Sequence, residues 1–186
     1  MIALPTVIVL AAGKGERFKA SGATHDKLQA PLCGQPVRAH VLAAVRASGL
    51  PCHVVERADT AHLASPGMGD SIASGVAATP DAKGWLILPA DLPLIQASTL
   101  LKVASALQQH EVVMPRYQGQ QGHPVGFAPS CREALLRLTG DQGARAVVAQ
   151  HSVCRVDVDD EGCVLDVDTV DALALAGIRM QKSHLD

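Results

Sequence analysis

Aromatic side chains make up only 2% of this 186-residue chain. Ala, Val and Leu must therefore fill most of any core, helped by the isolated rings of Phe18, Trp85, Tyr117 and Phe127, and small side chains of this kind call for closely approaching helices and strands. Charge of one sign is also missing: 16 Lys and Arg against 18 Asp and Glu leave a net charge of -2, with no basic surface for a polyanionic duplex, so nucleic acid is excluded as a partner. No run reaches the ~18 apolar residues of a membrane span. The apolar stretch from Ile2 to Ala12 has no basic region before it, is interrupted by Pro5, and runs into Gly13-Lys14-Gly15-Glu16-Arg17 where a cleavage site would stand. It reads as a buried strand and not a signal peptide, and the expected location is cytoplasmic, with no membrane contact. The five cysteines (Cys33, Cys52, Cys131, Cys154 and Cys163) are odd in number and form no Cys-x-x-Cys pair, which argues against a disulfide framework and a zinc site. They are expected to be small buried hydrophobes.

What is present is an alternation of strands and helices. Thr6 to Leu10, Cys52 to Glu56, Trp85 to Leu88 and Val112 to Met114 read as strands, short apolar runs buried on both faces. Between them, Pro36 to Ser48, Met68 to about Ala78, and Ser98 to His110 with a Ser cap read as helices. Pro124 to Ala128 looks extended, Ser130 to Leu138 and Ala144 to Gln150 helical, and Val153 to Val158 and Val164 to Val167 form late hairpin-like strands before a helix capped by Asp168 or Thr169. The pattern predicts an α/β fold whose mostly parallel sheet is covered on both faces, with an antiparallel addition at one side. With no repeat or linker in view, residues 1–186 are expected to form a single domain. In such sheets ligands lie at the carboxyl ends of the strands.

The loop after the first strand, Leu10-Ala11-Ala12-Gly13-Lys14-Gly15-Glu16-Arg17, joins two glycines to two cations. Glycines let the chain turn sharply and expose consecutive N–H groups that can hold phosphate oxygens, while Lys and Arg neutralise the charge. The dinucleotide fingerprint fails, because Phe18 stands where its third glycine belongs. A P-loop fails as well, because Gly-Lys-Ser/Thr is missing. Gly-x-Gly by itself is equally compatible with a plain turn. Two further features favour a nucleoside polyphosphate: Lys27 downstream, and Pro89-Ala90-Asp91-Leu92-Pro93, which sets a carboxylate just beyond the third apolar strand. One or two carboxylates with phosphate oxygens and waters suit Mg2+.

Taken together, residues 10–17, Lys27, Gly-Met-Gly-Asp-Ser at 67–71, Pro-Ala-Asp-Leu-Pro at 89–93, Gly-His-Pro-Val-Gly-Phe at 122–127, Gly-Asp-Gln-Gly-Ala-Arg at 140–145 and Asp-Val-Asp-Thr at 166–169 resemble the MobA-like nucleotidyltransferases over nearly the whole chain. Within that family the likeness is greatest to the molybdenum cofactor cytidylyltransferases. The resemblance implies a three-layer α/β/α Rossmann-like fold and transfer of a nucleoside monophosphate to a phosphorylated acceptor, with release of pyrophosphate. It also implies roles. Leu10, Ala11, Ala12, Gly13, Lys14, Gly15 and Ser71 would bind the nucleotide, with Arg17 and Lys27 neutralising its phosphates. Asp91 and Asp168 would hold Mg2+, and Asp166 gains a weaker reading from its position. His123, Asp141 and Arg145 would face the acceptor, Arg145 by pairing guanidinium with phosphate.

The family usually reaches its lysine about five residues after the arginine. Here Phe-Lys-Ala-Ser-Gly-Ala-Thr-His-Asp intervenes, which puts Lys27 on a longer lid or shifts part of its role to Lys14 or Lys19. Ala12 stands where guanylyl-transferring relatives tend to carry Gly, and its methyl favours a pyrimidine, so CTP is expected ahead of GTP. The expected acceptor is of molybdopterin type, and a molybdenum hydroxylase or its maturation chaperone is the implied partner. A guanylyltransferase, a cytidylyltransferase acting on a sugar or polyol phosphate, and a non-catalytic cofactor carrier are the rival readings.

Overall fold

A computed structural model describes residues 4–182. Its strands are β1 (Thr6–Leu10), β2 (Pro31–Leu32), β3 (Gln35–Pro36), β4 (Cys52–Val55), β5 (Trp85–Pro89), β6 (Val112–Tyr117), β7 (Gln120–Gln121), β8 (Val125–Phe127) and β9 (Val153–Asp157). The helices are α1 (Glu16–Ala20), α2 (Val37–Ser48), α3 (Met68–Ala78), α4 (Ala97–Ala106), α5 (Arg132–Leu136), α6 (Arg145–Ala149) and α7 (Val170–Lys182). The main sheet runs β4-β1-β5-β8-β6, with β9 along the other side of β6 and β7 forming a hairpin with the end of β6. β4, β1 and β5 are parallel neighbours, as are β6 and β9, while β8 runs antiparallel between β5 and β6.

The three layers follow from the two-residue period of the strands. Val7 and Val9 point to one face, where they pack with Val41 and Val45 of α2 and Leu100 and Val103 of α4. Ile8 points to the other, with Ile72 and Val76 of α3, Leu135 of α5 and Val147. Small residues let these layers close up. A Cβ on Gly75 of α3 would lie 2.5 Å from Ile8 Cγ2 and 3.0 Å from Val55 Cγ2, so α3 sits against the sheet at a distance only glycine permits. A third cluster joins Phe18 of α1, Leu32 and Val37 to Val167 and Ala176 near the end of the chain.

Several expectations change. The antiparallel addition is the β6–β7 hairpin together with β8, and β8 lies inside the sheet, between β5 and β6. Residues 164–167 form no strand. Val167 N–H instead donates to Asp91 O at 2.9 Å, and Cys163 O accepts from His123 N–H at 2.8 Å. Gln96, not Ser98, is the N-cap of α4, and the capping oxygen at α7 is that of Thr169, which accepts from Ala172 N–H at 3.1 Å. The stretch read as one helix from Ser130 opens as a 3-10 turn over Pro129–Cys131. Of the five free cysteines, Cys131 and Cys163 are buried as expected, but Cys33 and Cys52 are exposed. No helix among the described residues is long and apolar enough to cross a membrane.

Candidate active site

The carboxyl ends of β1, β4 and β5 open onto one cleft of about 800 Å³. From β1 the chain enters the glycine turn. Ala11 closes against the core, only 5% exposed, while Leu10, Ala12, Gly13, Lys14, Gly15 and Arg17 line the cleft. Ala11 N–H is tied to Val55 O. By contrast, among the described residues the backbone N–H groups of Ala12, Gly13, Lys14 and Gly15 donate no hydrogen bond. Gly15 lies in the left-handed region at φ 64 and N-caps α1. Free donors beside two cations are an arrangement that suits an anion.

Lys27 lines the same cleft. It sits at the start of the 3-10 turn Lys27–Gln29, and of the residues between it and the glycine turn, 16–20 fold as α1, pinned by Phe18 in the third cluster, while 21–26 are turns and irregular chain. Its ammonium lies 2.7 Å from Asp91 Oδ2 and 2.9 Å from Asp168 Oδ1, and Arg17 reaches Asp168 Oδ2 at 2.7 Å. Burial alone would push the Lys27 pKa down, but Asp91 and Asp168 more than offset it and hold it above the ordinary lysine value. Burial likewise works against the Asp168 carboxylate, and the Lys27 hydrogen bond and charge, with Arg17, override it and hold Asp168 below its usual range. Lys14 lines the cleft, and Lys19 does not.

Asp166 completes the acidic side. Asp91, Asp166 and Asp168 each offer an oxygen, all within 4.8 Å of one another. Desolvation, and then the neighbouring Asp168 and Asp91 charges, displace Asp166 upward, although the residue is exposed. Three hard oxygens carrying excess negative charge fit a divalent cation of the Mg2+ class. Their spacing is built by the backbone: the Val167 N–H bond to Asp91 O stitches the two aspartate-bearing segments together.

Ser71, Gln121, Gly122, His123 and Asp141 also line the wall of the cleft. Burial lowers the His123 pKa, with Asp91 opposing it. Its buried Nδ1 has no hydrogen-bond partner. Ser71 Oγ donates to Gly67 O at 3.2 Å on the first turn of α3. Arg145, the first residue of α6, is exposed and is not part of the cleft wall. The cleft therefore gathers every expected site residue except Ala11 and Arg145. It adds Arg57, which the sequence reading missed although it follows the end of β4 as the Asp91 loop follows β5.

Comparison with known proteins gives the family and the fold. The chain is 30% identical over 145 residues to the bifunctional protein GlmU of Xanthomonas oryzae pv. oryzae, a match that spans 69% of this chain and 30% of that longer one. Its fold is similar to Rv0371c from Mycobacterium tuberculosis H37Rv, at 26% identity and a TM-score of 0.75 over 95% of this chain and 99% of that one. The same protein has been solved with manganese, at 24% identity and a TM-score of 0.71 over 94% of this chain and 98% of that one. The molybdopterin-guanine dinucleotide biosynthesis protein A of Archaeoglobus fulgidus shares the fold at 17% identity and a TM-score of 0.67, over 95% of this chain and 99% of that one. The family model for the MobA-like NTP transferase domain matches residues 7–155, and the chain belongs to that family.

Proposed function

We propose that the chain transfers CMP from CTP to a phosphorylated acceptor of molybdopterin type and releases pyrophosphate. The observation that carries this reading is the presence, in one cleft, of a turn with unpaired N–H donors and a trio of aspartates, joined by the Arg17 and Lys27 ion pairs. The N–H groups of residues 12–15 receive the triphosphate, and Lys14 and Arg17 screen it. Lys27, held on the cleft floor, donates to the phosphate nearest the reacting centre. Preorganised donors of this kind stabilise charge that grows on phosphoryl oxygens and cost no reorganisation during the reaction.

Both reactants are anions, so their approach is the principal electrostatic obstacle. Asp91, Asp166 and Asp168 would hold Mg2+, which when bound supplies positive charge to the reacting phosphates. An acceptor phosphate is ionised at neutral pH and attacks in line without a general base. His123 would serve to orient the acceptor from the cleft wall. Asp141 lies on the same wall, while Arg145 takes no part in this reading because it stands outside the cleft.

Ala12, which lines the cleft, supports CTP, since a methyl in place of Gly would favour the smaller pyrimidine base. The fold shared with a molybdopterin-guanine dinucleotide biosynthesis protein favours a molybdopterin acceptor and keeps GTP as the second reading. A molybdenum hydroxylase or its maturation chaperone would then receive the product. The test is pyrophosphate release from each of the four nucleotides with Mg2+, with and without molybdopterin. Release from CTP only with molybdopterin is expected. Preference for GTP would establish the second reading. Turnover of a sugar or polyol phosphate instead would replace the acceptor, and tight dinucleotide binding without pyrophosphate release would make the chain a carrier.

A further inference from the structure

We infer that Arg57 is a positioning residue that joins the glycine turn and the Lys27 turn into one phosphate-binding surface. The inference rests on the nucleotide-transfer reading for its purpose, but its geometry stands independently. β4 pairs with β1 in a register that sets Val55 beside Leu10, so the residues just beyond β4 emerge beside the start of the glycine turn. There the 3-10 turn Arg57–Thr60 is fixed by Glu56 N–H donating to Asp59 Oδ2 at 2.7 Å. The Arg57 guanidinium leaves this anchored turn and makes two attachments. Nη2 and Nε donate to Gly13 O at 2.7 and 3.3 Å, and Nη2 also donates to Asp26 Oδ2 at 2.9 Å.

Each attachment controls a donor needed for phosphate. Because a trans peptide points its C=O and N–H in opposite directions, capture of Gly13 O by Arg57 turns the Lys14 N–H away from the guanidinium and fixes its aim. Asp26 is held through one carboxylate oxygen, and its other oxygen accepts from Leu28 N–H at 3.2 Å, closing the turn that carries Lys27. A planar fork thus spans residues 13 and 26 from a base on a third segment. Lysine, with a single point of charge on a flexible stem, lacks that reach to two acceptors at once.

Exposed ion pairs contribute little to stability, and the Arg57 and Asp26 side chains are 51% and 34% exposed. Arg57→Ala should therefore leave the melting temperature nearly unchanged while the two turns lose their alignment. Amide hydrogen exchange of the ligand-free protein at the hydrogen-bonded amides of the two turns, Lys19, whose N–H is held by Gly15 O, and Leu28 and Gln29, held by Asp26, is expected to quicken at least ~tenfold, on the scale of a lost charge-assisted hydrogen bond, with the β1 and β5 amides unaffected. In steady state the KM for nucleotide should rise by at least ~tenfold with kcat within about threefold. Asp26→Asn should show part of both effects, and the double variant no more than Arg57→Ala alone.

Unchanged exchange in Arg57→Ala overturns the inference, as do effects of the two substitutions that multiply, because Arg57 would then act on the nucleotide independently of Asp26. The exchange arm needs no substrate, so its failure leaves the nucleotide-transfer reading standing. A wild-type protein that releases no pyrophosphate would remove that reading and leave the exchange result intact.

Discussion

Lys27 sets the electrostatics of the cleft. Its ammonium bridges Asp91 and Asp168 at 2.7 and 2.9 Å, the same carboxylates that would hold a divalent cation, so the two cations compete for shared oxygens. Lys27→Met should tighten Mn2+ binding in the absence of nucleotide, read by calorimetry or electron paramagnetic resonance, while turnover falls. Affinity that weakens or stays constant would show that the ammonium and the ion occupy separate places. Asp91→Asn acts in the opposite sense, removing a charged ligand while keeping the side chain's shape. A loss of at least ~100-fold in pyrophosphate release is expected, the scale of one lost electrostatic stabiliser in an active site, and wild-type turnover in that variant would exclude Asp91 from the chemistry. Both aspartates were legible in the sequence, Asp91 from its place after an apolar strand and Asp168 through family likeness. Asp166 was weaker because it sits in an acidic run where most members are solvated, and only the folded chain brings it within 4.8 Å of the other two.

At the scale of elements, the strands buried on both faces announced themselves. Val7 to Leu10 within Thr6–Leu10 and Trp85 to Leu88 within Trp85–Pro89 are unbroken apolar runs. The failed hairpin has a physical reason. Its second half resembles a strand because its apolar residues meet a core, Val167 against Phe18 and Ala176 and Cys163 in the larger cluster. Its backbone, however, is engaged by single bonds to Asp91 and His123 and not by a ladder. The interior place of β8 was equally hidden, since a three-residue strand with Gly126 at its centre carries no signal of direction. What locks these loops together is Asp160, 2% exposed. It accepts from Thr99 Oγ1 at 2.6 Å, Gln96 N–H at 3.0 Å and Gly162 N–H at 2.9 Å. The start of α4, just beyond Asp91, is thereby tied to the turn leading to Asp166 and Asp168. Asp160→Ala strands several buried donors, at roughly 1 to 3 kcal/mol for each that water cannot reach. A large fall in stability by denaturant titration is expected, with weaker metal binding in whatever remains folded. Stability within about 0.5 kcal/mol of wild type, as at ordinary surface sites, would show that the loops are held elsewhere.

Across the whole molecule, the cleft is assembled from residues far apart in the chain, Gly13 and Arg17 near one end and Asp166 and Asp168 near the other. Arg57 was missed for the same reason: its partners at Gly13 and Asp26 are neighbours only once β4 lies beside β1. Such a site couples occupancy to global stability, because unfolding disperses every ligand-binding group at once. A ligand at about 100 times its dissociation constant stabilises the folded state by about 2.7 kcal/mol when it does not bind the unfolded chain. For a chain of this size each kcal/mol corresponds to roughly 2 to 4 °C. CTP with Mg2+ at saturation should therefore raise the melting temperature by roughly 5 to 11 °C. Mg2+ alone should give less, since Lys27 and Arg17 already neutralise much of the acidic trio. In Asp91→Asn the increment that Mg2+ adds to CTP should largely vanish while the shift from CTP alone persists through the glycine turn. Equal shifts with and without Mg2+ in the wild-type protein would separate the two halves of the cleft and leave the aspartates as counter-ions to Lys27 and nothing more.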